Sequence, residues 1–130
     1  MPSLTQITVS QLSRLLGTPA APTVIDVCID NDFNEDPRVI STAMCHSFID
    51  IEALVEQLDI KQVVVVCQKG LKLSQGAAAL LRLRGMRSES LEGGNFAWRD
   101  AGQSLIPVAK IPELNNLSQN MLNNRASSLC

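Results

Sequence analysis

The run Cys67-Gln68-Lys69-Gly70-Leu71-Lys72-Leu73-Ser74 carries the most chemistry in the chain. It begins with a thiol and continues through a glycine set between two lysines. The thiolate, not the thiol, is the nucleophile, so the surroundings of Cys67 decide what it can do. Amides of a tight loop and of a helix start have no intrahelical acceptors. They can face a common point and hold negative charge there. A cysteine at that point is favoured as the thiolate, and Lys69 and Lys72 add positive charge. The competing reading makes Cys67 a small core residue at a strand end. Local chemistry alone leaves the two readings level.

The flanking elements place this run. Val63-Val64-Val65-Val66 cannot alternate inside and outside, so it reads as a strand buried on both faces, as in the middle of a parallel sheet. Gln75 to Arg84 reads as a helix, closed by Gly85 just past its end. The thiol therefore stands at the carboxyl end of a central strand and faces a helix start, where open α/β sheets bind ligands.

Upstream, Thr8 and Gln11 have the spacing of a capping box, followed by the helical stripe Leu12, Leu15, Leu16 and by Gly17. Val24 to Val27 is the first clear strand, and Asp26 within it is buried by pattern. Asp30, Asp32, Asn34, Glu35 and Asp36 begin like a calcium loop. Glu35 occupies the glycine position and Ser41 the last ligand position, so a solvated turn around a short helix is expected, with Phe33 inward. Asp50 caps a helix with the stripe Ile51, Leu54, Val55, Leu58. Arg87 to Glu92 is a late strand, and Gly93-Gly94 permits a close turn. Strands alternating with helices imply an α/β fold with a parallel sheet and helices on both faces.

Composition narrows the function classes. The chain has 130 residues, 45% of them hydrophobic and 18% charged, enough for one folded domain. A net charge of −2 with three phenylalanines, one tryptophan and no tyrosine argues against nucleic acid as a partner. No apolar run is long enough for a membrane span. No signal peptide is read at the N-terminus, so a cytoplasmic location with reduced thiols is expected. The four cysteines, Cys28, Cys45, Cys67 and Cys130, include no Cys-x-x-Cys pair. Cys28, Cys45 and His46 match no zinc spacing, so no metal is expected.

Cys67-x-x-Gly70-x-Lys72-x-Ser74 resembles the active-site loop of the rhodanese-like sulfurtransferases, in which a cysteine opens a six-residue loop and a basic residue, usually arginine, closes it. Thr23-Val24-Ile25-Asp26-Val27 resembles the early strand of that family. Leu91-Glu92-Gly93-Gly94-Asn95-Phe96-Ala97-Trp98 resembles its Gly-Gly segment followed by tryptophan, and Ala43 to His46 resembles its short second strand. The similarity runs from Ile7 to Leu105.

The resemblance implies the rhodanese-like α/β fold with about five strands, over residues 1–107. Residues 108–130 form a C-terminal extension rich in asparagine, serine and glutamine, where Leu114, Leu117, Met121 and Leu122 fit one docked helix and a mobile end. It further implies transfer of sulfane sulfur through a persulfide on Cys67, from thiosulfate or a persulfide to a thiol or cyanide, with no cofactor. Gln68, Lys69, Gly70, Leu71, Lys72 and Leu73 would bind the donor, Asp26 would hold neighbouring backbone, and Trp98 would pack beside the active-site end. Two departures stand out. Lys72 replaces the closing arginine, and Cys28 replaces the arginine that follows Asp-Val, leaving a second thiol that is either packed or a resolving cysteine. A redox sensor, a regulatory binding module and a phosphatase or arsenate reductase of the same fold are the alternatives. The last holds its oxyanion in a longer Cys-x5-Arg loop, in which Leu73 would take the arginine position.

Overall fold

The computed structural model describes residues 5–28, 34–57 and 60–108. Its elements are β1 (Gln6–Ile7), α1 (Val9–Leu15), β2 (Thr23–Asp26), β3 (Arg38–Ile40), β4 (Met44–Cys45), a 3₁₀ turn (Phe48–Asp50) running into α2 (Ile51–Gln57), β5 (Gln62–Val66), α3 (Lys72–Leu83), β6 (Arg87–Leu91), α4 (Gly94–Asp100) and β7 (Leu105–Pro107). Asp30, Asp32, Phe33, Leu58 and the extension with Leu114, Leu117, Met121, Leu122 and Cys130 lie outside the described residues.

Five strands form one sheet in the order β1-β6-β5-β2-β4, and every pairing is parallel. The valine run is β5 and lies at the centre. Thr23 to Asp26 of β2 pair in register with Val63 to Val66. Val63 and Val65 join Ile25, Val27 and Cys67 under α2 and α3, with Ile51, Val55, Ala77, Ala78 and Leu81. Val64 and Val66 face the other way, with Val24, Leu91, Leu12 of α1 and Trp98 of α4. All four valines are at most 1% exposed. Burying each is worth roughly 1.5–3 kcal/mol, which explains the lack of alternation: both faces are covered by helices.

The Thr8 capping box forms. Gln11 N donates to Thr8 Oγ1 at 3.1 Å and Thr8 N to Gln11 Oε1 at 2.9 Å. Three features go beyond the sequence reading. β1 precedes α1 and pairs with β6 at the sheet edge. Leu105 to Pro107, at the end of the domain, fold back as β7, antiparallel to β3. A 3₁₀ turn leads into α2, and Asp50 at its end directly precedes the first residue of the helix. Among the described residues no helix is long and apolar enough to cross a membrane.

Candidate functional site

Cys67 follows β5 directly, at the carboxyl end of the central strand, and is 6% exposed. The helix after it starts at Lys72, three residues earlier than the sequence suggests. Leu71 occupies the N-cap and makes no side-chain cap bond, so the usual Ser, Thr, Asp or Asn signal is missing. The connection is therefore only Cys67 to Leu71, and Lys72, Leu73 and Ser74 form the first turn of α3. Helix geometry leaves their amides without intrahelical acceptors. Gln75 N closes the first turn onto Leu71 O at 3.1 Å, and Gln75 Nε2 ties Gly70 O at 3.0 Å.

Exposure divides the loop residues. Gln68 and Gly70 are buried, whereas Lys69, Leu71 and Lys72 are exposed. Leu73 is half-buried and packs against the core that contains Cys67 and Val65.

The loop is gripped from behind by the Gly93-Gly94 turn. The first-turn amides of α4 need acceptors, and the loop provides them: Asn95 N donates to Cys67 O at 2.9 Å and Phe96 N to Gln68 O at 3.0 Å. That approach leaves no room for side chains. Gly70 has φ +69°, and a Cβ there would lie 2.6 Å from Leu91 O and 2.7 Å from the nitrogens of Gly93 and Gly94. Gly94 has φ +62°, and its Cβ would lie 2.2 Å from Cys67 O and 2.5 Å from Gly70 N. The two glycines are halves of one contact.

Asp26 lies at the end of β2, 3% exposed. Its Oδ1 accepts from Cys28 N at 3.0 Å and its Oδ2 from Asn95 Nδ2 at 2.9 Å. Burial raises its carboxyl above the ordinary range, opposed in part by the bonds from Asn95 and Cys28. The same Asn95 Nδ2 is 3.7 Å from Cys28 Sγ. Asn95 thus links Asp26, Cys28 and the backbone of Cys67.

A carboxyl raised by folding holds its proton more tightly in the folded than in the unfolded chain. Folded-state stability therefore falls as pH rises from the ordinary carboxylate value through the folded-state one. The urea midpoint of the wild type should drop relative to Asp26→Asn as pH increases from about 4 upward. Parallel midpoints across that range would mean that Asp26 titrates alike in both states.

A side chain to which the sequence reading assigned no role lies in hydrogen-bond contact with Cys67 Sγ. Ser74 Oγ lies 3.0 Å away, and Ser74 is fully buried. Its signal was the hydroxyl in the first turn after the cysteine, hidden by the late helix boundary. Asn95 was also missed, although it directly follows the Gly-Gly pair.

Cys28 and Cys67 keep reduced thiols. His46 Nε2 is 3.8 Å from Asp50 Oδ2, too long for a hydrogen bond. A groove of about 720 Å³ lies between α2 and α3 near the amino ends of β5 and β6, lined in part by Ile49, Glu52, Ile60, Arg84 and Met86. It contains none of the candidate residues.

No family model matches the chain, and no curated protein matches it. Solved structures do. A thiosulfate sulfurtransferase from Pseudomonas aeruginosa superposes with a TM-score of 0.68 at 25% identity over 82% of this chain, which spans only 20% of that protein. A rhodanese-related protein from Thermoplasma volcanium gives 0.64 at 22% identity, covering 78% of this chain and 97% of its own. The chain has a rhodanese-like fold. A protein of unknown function from Rhodopseudomonas palustris, described as a possible tyrosine phosphatase, superposes on it at 0.67 with 22% identity, over 78% of this chain and 84% of its own. In this rhodanese-like fold Cys67 heads the loop between the central strand and α3.

Proposed function

We propose that the chain is a sulfurtransferase that carries sulfane sulfur as a persulfide on Cys67. The observation that supports it is the seat of Cys67: a thiol at the carboxyl end of the central strand, opening a five-residue connection whose backbone is held by α4. The Cys67 thiolate attacks the outer sulfur of a donor such as thiosulfate. An Sγ–S bond forms, the donor's S–S bond breaks, and sulfite leaves with the electron pair. An acceptor thiolate or cyanide then attacks the outer sulfur, and Cys67 leaves as the thiolate. Two easier displacements replace one hard one, and no cofactor is required. Amides from Gln68 to Leu73 stabilise the negative sulfur in both states.

Leu73 weighs against the phosphatase alternative. It stands where a Cys-x5-Arg loop has its arginine, and it packs into the core. The reading is tested by intact-mass analysis after exposure to thiosulfate. A gain of one sulfur atom on Cys67, lost again on adding cyanide with formation of thiocyanate, is expected. An unchanged mass under thiosulfate and under a low-molecular-weight persulfide would overturn it.

Lys72 adds a test of donor binding. As an exposed residue on the first helical turn it acts as a screened point charge, without arginine's planar fork. Lys72→Ala should raise the KM for thiosulfate about fivefold, roughly 1 kcal/mol, with kcat little changed. Lys72→Arg should keep KM or lower it, and uncharged persulfide donors should respond to neither change. Steady-state thiocyanate formation measures this, and an unchanged KM in Lys72→Ala would leave anion binding to Lys69 and the loop amides.

A further inference from the structure

Ser74 sits on the first turn of α3 with no exposed surface. Its Oγ lies 3.0 Å from Cys67 Sγ and 3.5 Å from the carbonyl oxygen of Leu71. The second distance is long for a hydroxyl, whose bonds to oxygen run about 2.5–3.0 Å. The Ser74 proton is therefore weakly committed to Leu71. In the thiol state Cys67 donates to Ser74 Oγ, and the serine proton faces Leu71 O. A thiolate has no proton to give and only accepts. Once Cys67 ionises, its proton passes to solvent and the Ser74 O–H turns from Leu71 O to Sγ.

We propose that Ser74 is a catalytic residue whose hydroxyl donates to the Cys67 thiolate. This deepens the sulfurtransferase reading and rests on Cys67 being the reacting sulfur. A hydrogen bond to an ionised acceptor is stronger than one between neutral groups, and this one lies where little water screens it, with Cys67 6% and Ser74 0% exposed. Lys72, two residues earlier on the same turn, is exposed, so its charge is screened and the hydroxyl is not.

The role repeats through the cycle. In loading, Sγ begins as a thiolate held by Ser74. As the Sγ–S bond forms, the negative charge passes to the outer sulfur and the serine proton relaxes toward Leu71 O. In discharge, the acceptor takes the outer sulfur and Sγ recovers the bonding electron pair. Ser74 then donates again to the departing thiolate. The hydroxyl neither gains nor loses a proton at any point.

The test is the pH profile of Cys67 alkylation by iodoacetamide, resolved by site with mass spectrometry, which needs no sulfur donor. Ser74→Ala should move the midpoint up by about one pH unit and slow alkylation roughly tenfold at neutral pH. Ser74→Thr should return it to the wild-type midpoint. Where alanine disturbs folding, Ser74→Val against Ser74→Thr repeats the comparison at equal shape, and the valine variant should show the upward shift alone. Superimposed profiles for the hydroxyl and non-hydroxyl members of either pair would overturn the role of Ser74. Failure of the sulfurtransferase reading shows separately, as shifted alkylation profiles with no sulfur gained from thiosulfate or persulfide.

Discussion

Gly94→Ala is expected to destabilise the domain by about 3–5 kcal/mol or prevent its folding. Two independent penalties add at this position. A φ of +62° costs an alanine about 1–2 kcal/mol. The added Cβ also meets main-chain atoms: Cys67 O at 2.2 Å, Gly70 N at 2.5 Å and the carbonyl carbon of Gln68 at 2.8 Å. Backbone cannot rotate out of the way like a side chain, so either the loop or α4 must shift. Either shift breaks the bonds from Asn95 N and Phe96 N to the loop carbonyls and moves Cys67. Gly76→Ala is the matched control. Gly76 lies on α3 with nothing within 4 Å of an added Cβ, so alanine there should be neutral or stabilising by up to about 1 kcal/mol. Urea denaturation of both variants measures the difference, and equal midpoints would mean that the loop and α4 do not meet at Gly94.

Cys67→Ser is expected to leave the domain folded and to reduce sulfur loading by a thousandfold or more, on the order of losing any covalent nucleophile. The oxygen is a poor nucleophile at neutral pH and carries no sulfane sulfur. Intact mass after thiosulfate should stay at that of the unmodified chain. Cys28→Ser, Cys45→Ser and Cys130→Ser should each still load one sulfur atom. Loss of loading in Cys28→Ser with an intact fold would instead indicate a two-thiol relay.

The central strand was legible because four consecutive valines can be satisfied in only one way, by cover on both faces. The capping box was legible because Thr8 and Gln11 form it locally, with no help from the rest of the chain. β1 was not: two residues at a sheet edge show no periodicity, and only pairing with Ser90 and Leu91 makes Gln6 and Ile7 a strand. The β3–β7 pair escaped for the same reason, with a proline at residue 107 that argues against a strand and is tolerated at an edge. At the site, the cysteine and the glycines stood out because each is a residue type with a special property. No role could be read for Ser74 or Asn95, since a serine or an asparagine becomes informative only once a partner is known. Those partners, Cys67 Sγ and Asp26 Oδ2, lie 7 and 69 residues away along the chain.

The chain contains a single tryptophan and no tyrosine, so under ultraviolet excitation near the red edge its emission comes from one indole. That indole belongs to Trp98, buried on α4, with Nε1 donating to Ser104 O at 2.9 Å. Asn95 and Phe96, which hold the loop carbonyls, begin the same helical turn. The protein therefore carries a built-in optical reporter less than one helical turn from the residues that grip its reactive loop. Stopped-flow fluorescence can follow events at Cys67 without a dye or an introduced label.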